Sequence, residues 1–201
     1  MLSGSLGSVL LVINRFTTIQ ITDSQARSDV VGIILSGVLV LVGLLWQQIQ
    51  TKSPNAVVLI GEEKIEFRPH LDEETKIDLA WASHLILNNT VTKSMIIYYK
   101  KDILLRRGIL GKNDEVIPGK ILNKVFQEQR PIYLVNLELY PGKIEFDYLP
   151  INTQGVICQP LGENGVMILG TNVARSYTKQ DENWIEGIAD KIALTLQKKL
   201  G

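Results

Sequence analysis

The sequence holds few side chains of the kinds that bind metals or act as nucleophiles. Among its 201 residues are one cysteine, Cys158, and two histidines, His70 and His84. A single cysteine excludes an internal disulfide and any zinc site that needs two or more cysteines. Two histidines provide little material for a histidine-rich metal centre. We therefore predict no metal site, and we assign no catalytic residue.

Common catalytic motifs are missing from the sequence. The patterns G-x-x-x-x-G-K, G-x-S-x-G and H-E-x-x-H, which mark phosphate-binding loops, serine hydrolases and zinc proteases, do not occur. The acidic run Asp72-Glu73-Glu74 has no further ligand spaced to complete a metal site. We interpret it as the first turn of a helix, where carboxylates complement the helix dipole.

The neighbours of the cysteine and the histidines indicate their settings. Cys158 lies in the apolar run GVICQPL, which predicts a small buried hydrophobe, with a thiol that meets a substrate as the alternative. His84 shares a predicted helix face with Trp81 and Leu85, which favours a packed core histidine. His70 follows Pro69, so we expect it in an exposed loop.

Four cations cluster around one predicted hairpin: Lys100, Lys101, Arg106 and Arg107. Such side chains pair with the carboxylates of a ligand or with anionic lipid head groups. Charges that guard an exposed strand edge would give the same pattern. Both interpretations stay open at this point.

Residues 52–201 alternate β-branched and aromatic runs with turn signals, which is typical of antiparallel strands. The predicted strand pairs are residues 56–60 with 64–67, 94–99 with 103–107, 131–140 with 143–149, and 155–161 with 166–170. The predicted helices are residues 72–88, residues 121–129 and a last helix that begins at a capping box at residues 178–181. Strand pairs with helices near the start and end predict an α+β domain.

Apolar residues at helical spacing predict which faces of two helices are packed. On the first helix of the body the residues at this spacing are Ile77, Trp81, Leu85 and the polar Asn88. On the last helix they are Trp184, Ile188, Ile192 and Leu196.

Residues 30–46 (VVGIILSGVLVLVGLLW) contain no charge, and the uncharged stretch continues to Thr51. At ~1.5 Å per residue the seventeen cover roughly 25 Å, against a hydrocarbon core about 30 Å thick. We predict a spanning helix over about residues 30–46, with Trp46 at one interface. The chain then divides into a membrane anchor, residues 1–51, and a body, residues 52–201, joined by a polar linker at residues 51–55.

A first hydrophobic segment, over about residues 2–14, is shorter. Its twelve uncharged residues, 2–13, reach about 18 Å, which is too short to cross a bilayer alone. Three interpretations stay open: an interfacial helix, a short spanning helix paired with the second, or a spanning helix truncated by a late start in the gene model. Residues 15–29 carry two charges of each sign, so charge does not orient the anchor.

The charge balance limits the partners of the chain. Lysine and arginine total 21, aspartate and glutamate total 21, and the first 46 residues hold only two of each sign. The body is therefore neutral as well, which argues against nucleic-acid binding. A charged fraction of 21% and a hydrophobic fraction of 45% are typical of a folded chain.

Several long runs resemble the B-type members of the cyanobacterial and chloroplast "cofactor assembly of complex C" family. They are DLAWASHLILNNT (78–90), YYKKDILLRRGILG (98–111), RPIYLVNLELYPGKIEFDYLPINTQGVICQPLG (130–162) and ARSYTKQDENWIEGIADK (174–191). Residues 24–50 resemble the second membrane helix of the family and its exit, whereas the short first segment departs from it. Residues 155–200 also resemble a GAF-type sheet domain, which implies a GAF-like antiparallel sheet with flanking helices.

The resemblance implies a membrane-bound assembly factor. Members of the family are associated with attaching one extra c-type haem to cytochrome b6 of the cytochrome b6f complex, through a single thioether bond. The implied partners are the membrane, apocytochrome b6, other haem-attachment assembly subunits and a related subunit in a hetero-oligomer. The implied location is the thylakoid membrane, with the body on the cytoplasmic or stromal side.

The resemblance also implies haem as the ligand of the candidate residues. The chain lacks the C-x-x-C-H motif of covalent haem proteins, so we expect no permanently bound cofactor and only transient haem. His70 is then a candidate axial ligand, and Arg106 and Arg107 are candidate partners of haem propionates. A membrane-tethered GAF-like sensor of a small molecule is the alternative function, and whether the chain is itself a haem lyase stays open.

Overall fold

The structure is a computed structural model, and it describes residues 2–17, 22–49 and 55–200. The chain divides into two compact units, Met1–Lys52 and Ser53–Gly201. Most of the predicted linker, at residues 51–55, lies outside the described residues.

The first unit is a pair of helices, α1 (Leu2–Thr17) and α2 (Asp23–Ile49). They pack antiparallel through small residues: a Cβ on Gly7 would lie 3.0 Å from Ser36 Oγ, and one on Gly32 would lie 2.9 Å from Leu11 Cδ1. Small residues permit this close approach, which is typical of helix pairs in membranes. Most of the large apolar side chains described on both helices are at least half exposed.

One stretch of α2, Asp23–Leu45, is long and apolar enough to cross a membrane by length and composition, and its most apolar 18 residues have a mean hydropathy of 2.4. It contains most of the predicted span. Helix α1 is apolar but shorter, and the three interpretations of the first segment stay predictions.

The second unit is built on one antiparallel sheet of six strands, which confirms the predicted α+β body. The strand order is β1-β3-β2-β6-β5-β4. The strands are β1 (Glu62–Phe67), β2 (Ser94–Tyr99), β3 (Asp102–Leu110), β4 (Ile132–Leu134), β5 (Gly155–Pro160) and β6 (Gly165–Thr171). The helices are α3 (Glu73–Asn89), α4 (Lys120–Glu128) and α5 (Lys179–Leu200).

The central strands are buried on both faces of the sheet. In β2, Met95 and Ile97 belong to a core that α3 and α5 cover, while Ile96 and Tyr98 belong to a second core that α4 covers. Side chains alternate between the two faces of a strand, so one apolar run fills both cores.

The start of α5 has the predicted capping box. Thr178 N–H donates to Asp181 Oδ2 at 2.7 Å, and Asp181 N–H donates to Thr178 Oγ1 at 3.2 Å. The two residues therefore satisfy backbone donors that have no partner within the helix.

The predicted strand at residues 56–60 is wrong. This stretch runs over the surface, with one isolated β-bridge from Ile60 to Ile151, and β1 pairs with β3 instead. Amide side chains hold it: Asn172 Nδ2 donates to Val57 O at 3.1 Å, and Asn152 Nδ2 donates to Val58 O at 3.3 Å. The apolar run was therefore a surface segment bound by side chains from distant parts of the chain.

The predicted strand pair at residues 131–140 and 143–149 is also wrong. Only β4 is extended, and two 3₁₀ turns follow it at Leu137–Leu139 and Lys143–Phe146. The second turn brings Glu145 to the start of α4, where its carboxylate accepts from Ile121 N–H and Leu122 N–H at 3.0 Å. Because Gly119 has no side chain to cap α4, this distant carboxylate does so.

The packed face predicted for α3 is wrong. The buried residues are Thr75, Leu79, Ala82, Ser83 and Ile86. Ile77 is 66% exposed and Trp81 is 45% exposed. The prediction of the packed face failed because α3 has apolar residues on two sides and buries small polar residues in the core. On α5 the predicted face is confirmed except at Trp184, which is 47% exposed.

We predict that Asp78→Asn lowers stability at neutral pH and that this loss disappears in acid. Asp78 joins α3 to α5, because Lys191 Nζ lies 3.2 Å from Oδ1 and Thr195 donates to Oδ2 at 3.0 Å. These partners, Lys191 first, lower the pKa of Asp78 below its usual value. Its stabilising effect is therefore complete above the unfolded-state pKa of about 3.9 and is lost as the pH falls through the lower folded-state pKa.

Urea unfolding of the full chain in detergent micelles, measured between neutral pH and about pH 2, checks this. Asp114→Asn is the matched control, since Asp114 is exposed and its side chain has no hydrogen bond or ion pair with the described residues. An Asp78→Asn deficit that stays constant across the whole range would contradict the prediction.

We also predict that Lys101→Gly stabilises the body by about 1 kcal/mol. Lys100 and Lys101 form the two-residue turn between β2 and β3, with φ of 50° and 66°. This left-handed backbone costs little for glycine but is unfavourable for a residue with a Cβ. Thermal unfolding measures the gain, and Lys101→Ala, which removes the charge but keeps the Cβ, should show none of it.

Candidate functional site

An open cleft of about 950 Å³ lies at the β1 side of the body. Residues 56–59 form one wall, the C-terminal half of α3 forms the other, and β1 and β3 form the floor. Residues that line it are Ala56, Val57, Val58, Leu59, Glu63, Lys64, Ile65, His84, Leu87, Asn88, Thr92, Lys93, Arg107, Gly108, Ile109 and Asn172.

The surface segment at residues 56–59 is fixed in place by Asn172. Val57 N–H donates to Asn172 O at 3.0 Å, and Asn172 Nδ2 donates back to Val57 O at 3.1 Å. This reciprocal pair closes one side of the cleft, although the segment is not part of the sheet.

The floor depends on a glycine in β3. Gly108 has φ of +93°, and a Cβ at this position would lie 2.2 Å from Lys93 O and 3.0 Å from Leu87 Cδ2. The residue therefore lets β3 approach both the end of α3 and the start of β2, which are the elements that carry the polar groups of the cleft.

His84 lies on the α3 wall and is exposed, so the prediction of a core histidine is wrong. The reason is that the opposite face of α3, with Leu79, Ala82 and Ile86, packs in the core, so that Trp81 and His84 are exposed. Asn88, one turn later, places its Nδ2 3.0 Å from His84 Nδ1 and donates to His84 O at 2.8 Å.

Arg107 is the sequence-predicted site residue that lies in this cleft. It is half-buried, and its Nη1 donates to Ala80 O at 2.8 Å and to Ser83 Oγ at 3.0 Å, which ties β3 to α3. Lys93 is exposed and its side chain has no hydrogen bond or ion pair with the described residues. Lys64 pairs with Glu62 on the same strand.

Arg106 lies on the opposite face of the sheet from Arg107, because successive strand residues alternate. It is 7% exposed. Its Nη1 lies 3.1 Å from Glu66 Oε2, and its Nη2 donates to the carbonyls of Gly111 and Asn113 at 2.9 Å each. Most of the hydrogen-bond donors of this guanidinium are therefore used within the protein itself.

The structure does not bring the other candidates to the cleft. His70 is exposed in the turn before α3, with φ of 64°, and Lys100 and Lys101 form the far turn of the β2–β3 hairpin. Strand β3 lies between β1 and β2, so the interpretation of Arg106 and Arg107 as edge-guarding charges is wrong.

Sequence reasoning missed His84, Lys93 and Asn172. For His84 a signal was present, since Asn88 one turn away is a polar residue that a core face rarely holds. Lys93 and Asn172 have no local signal, because the long-range packing of the two walls puts them in the cleft.

Cys158 is fully buried, which confirms the prediction of a small buried hydrophobe. Burial raises the pKa of its thiol, and the nearby Glu145 carboxylate adds to the rise. The thiolate form that attacks or binds metal is therefore suppressed. Within residues 2–17, 22–49 and 55–200 no group of three or more His, Cys, Asp or Glu side chains is placed to hold a metal ion.

We predict that a maleimide reagent does not label Cys158 in the folded chain at neutral pH and labels it promptly in urea. The physical reasons are its burial and its raised pKa. Mass spectrometry of the reagent-treated full chain measures the labelling. A Cys158→Ala, Lys112→Cys variant places the thiol at an exposed position and should be labelled without urea; equally fast labelling of native Cys158 would contradict the prediction.

Comparison with known proteins adds two kinds of similarity. Residues 1–192 match the family model for the B-type subunits CCB2/CCB4 of "Cofactor assembly of complex C". Two Arabidopsis thaliana proteins of that description, both named as chloroplastic, are similar. CCB4 is 33% identical over 87% of this chain and 63% of its own length, and CCB2 is 23% identical over 92% and 73%. The chain thus spans less than two thirds of the CCB4 protein.

Solved structures provide the second kind of similarity. A type II free methionine-R-sulfoxide reductase from Thermoplasma acidophilum has a TM-score of 0.52 and 19% identity, over 63% of this chain and 94% of that one. A GAF domain region from Geobacter sulfurreducens PCA has a TM-score of 0.47 and 13% identity, over 62% and 95%. Both likenesses concern the fold alone, and the first of them agrees with the α+β fold that the sequence predicts.

Proposed function

The chain belongs to the CCB2/CCB4 family of cofactor assembly of complex C, and on that basis we propose that it helps attach the extra c-type haem to cytochrome b6 of the cytochrome b6f complex. The observation that carries the proposal is the family match over residues 1–192, which includes both helices and most of the body. A match of this extent supports a shared role of the whole chain in cofactor assembly.

The helical unit supports anchoring in a membrane. The Asp23–Leu45 stretch has the length and composition of a spanning helix, and α1 packs along it through Gly7 and Gly32. We propose the thylakoid membrane as the location, with the body on the cytoplasmic or stromal side. An anchor confines the body to the plane of its client, which raises their effective concentration without a strong intrinsic affinity.

The proposed partners are apocytochrome b6, the other haem-attachment assembly subunits and a related subunit of the same family. Thioether formation adds a client thiol across a carbon–carbon double bond of the haem, so that a C–S bond forms and the thiol proton moves to carbon. The client supplies the reacting sulfur. The buried Cys158 thiol of this chain is consistent with a supporting role.

Deletion of the gene in its own organism should remove the covalent haem of cytochrome b6. Haem staining of membrane proteins after denaturing electrophoresis measures this, because only covalently attached haem stays with the polypeptide. Cytochromes with a C-x-x-C-H motif on the same gel are the internal control and should keep their stain. Cytochrome b6 that keeps its covalent haem in the deletion strain would overturn the proposal.

Complementation of the deletion strain tests the contribution of the helical unit separately from that of the body. The full chain should restore the stain, whereas a chain that lacks residues 2–49 should restore less of it, because the anchor no longer concentrates the body at the membrane. Equal restoration by both chains would contradict the proposed role of the anchor.

A further inference from the structure

We propose that the cleft between α3 and residues 56–59 binds the iron porphyrin itself, with the His84 imidazole as an axial ligand of the iron. The inference rests on the proposed function, since it names the site on this chain that holds the cargo during assembly. It replaces His70, the candidate ligand from the sequence, with a histidine that lines a cavity.

The cleft is large enough for a porphyrin, and about half of the residues that line it are apolar. Its volume of about 950 Å³ is within the range of small-molecule sites. Aliphatic side chains face the open space: Val58 is 82% exposed, Ile65 is 46% exposed, and Leu87 and Ile109 are half-buried. Covering these side chains with an apolar ring would remove apolar surface from water, which is favourable.

His84 is the residue in the cleft that can bind iron. A neutral imidazole is a common axial ligand of haem. The His84 imidazole is carried by a regular helix. Arg107, which also lines the cleft, ties that helix to β3 by hydrogen bonds to Ala80 O and Ser83 Oγ. The Asn88 amide nitrogen lies 3.0 Å from Nδ1 and 3.3 Å from Nε2 of the ring and also donates to His84 O. Asn88 is exposed, so its amide can move from the imidazole and exchange these contacts for hydrogen bonds to water.

The charges of the cleft suit a dianionic porphyrin. Three of the four charged side chains that line it are cations, Lys64, Lys93 and Arg107, and the fourth is Glu63. Lys93 is the cation best placed for a propionate, because its ammonium group is exposed and has no ion-pair partner within the described residues. Ion pairs of this kind are stronger and shorter than neutral hydrogen bonds.

The composition of the cleft also explains why binding would be transient. Among the residues that line the cleft there is one histidine and no methionine or cysteine, so the cleft offers the iron a single imidazole ligand. The cleft is open to solvent. A porphyrin held in this way keeps its other face and one coordination position free for transfer to a client.

The test is a titration of the purified full chain in detergent micelles with ferric haem, followed by absorbance spectroscopy against empty micelles. The wild-type chain should bind one haem saturably, with the spectrum of an imidazole-ligated iron. His84→Ala should lose that spectrum and bind at least about tenfold more weakly. Lys93→Glu should keep the spectrum but bind more weakly, because a repulsive charge replaces the propionate partner.

His70→Ala is the matched control. It removes the other histidine, which is exposed outside the cleft, and should leave both the spectrum and the affinity unchanged. Circular dichroism of each variant checks that the fold is intact. A His84→Ala chain that binds haem with the wild-type spectrum, or a His70→Ala chain that loses it, would overturn the inference.

The failure of this inference and the failure of the proposed function are distinguishable. If deletion removes the covalent haem of cytochrome b6 while the pure chain shows no His84-dependent ligation, the cleft is not the site and the proposed function stands. If ligation depends on His84 but the deletion strain keeps its covalent haem, the assembly role fails although the cleft binds haem.

Discussion

Burial of the central strands on both faces of the sheet is the constraint from which the architecture of the body follows. Every residue of β2 and of β6 is buried. Two separate layers must therefore cover the sheet: α3 and α5 on one face, and α4 with the two 3₁₀ turns on the other. Strand β1 lies at an edge and is mostly exposed. The cleft forms at that edge, where the covering layer ends and leaves apolar side chains facing water.

The parts of the fold that the sequence predicts are those with local signals. A two-residue turn joins β2 to β3, a short turn joins β5 to β6, and a capping box starts α5, and each of these features is encoded within a few residues. The parts that fail are decided by distant groups. Residues 56–60 are apolar, yet they form no strand of the sheet, and Asn152 and Asn172 donate hydrogen bonds to their backbone carbonyls. Residues 143–146 form a 3₁₀ turn whose Glu145 caps a helix some twenty residues earlier in the chain.

The candidate site shows the same division. Arg106 and Arg107 are adjacent in the sequence, but successive residues of a strand point to opposite faces of the sheet. Their separation therefore follows from the predicted strand at residues 103–107. Periodicity alone does not predict the exposure of His84, because α3 has apolar residues on two sides; the polar Asn88 one turn later is the signal that favours it. The buried face of α3 includes Thr75 and Ser83, whose small polar side chains pack in the core beside Leu79, Ala82 and Ile86. Tertiary packing therefore decided which side of the helix became a wall of the cleft.

The hydrogen bonds between Val57 and Asn172 fix a segment that matters for where this chain can be cut or lengthened. The segment that they fix begins only a few residues after the boundary between the two units at Lys52 and Ser53, so a wall of the cleft lies next to that boundary in the sequence. A chain that starts at β1 would lack this wall, and an insertion or deletion near residue 57 would change the shape of the cleft.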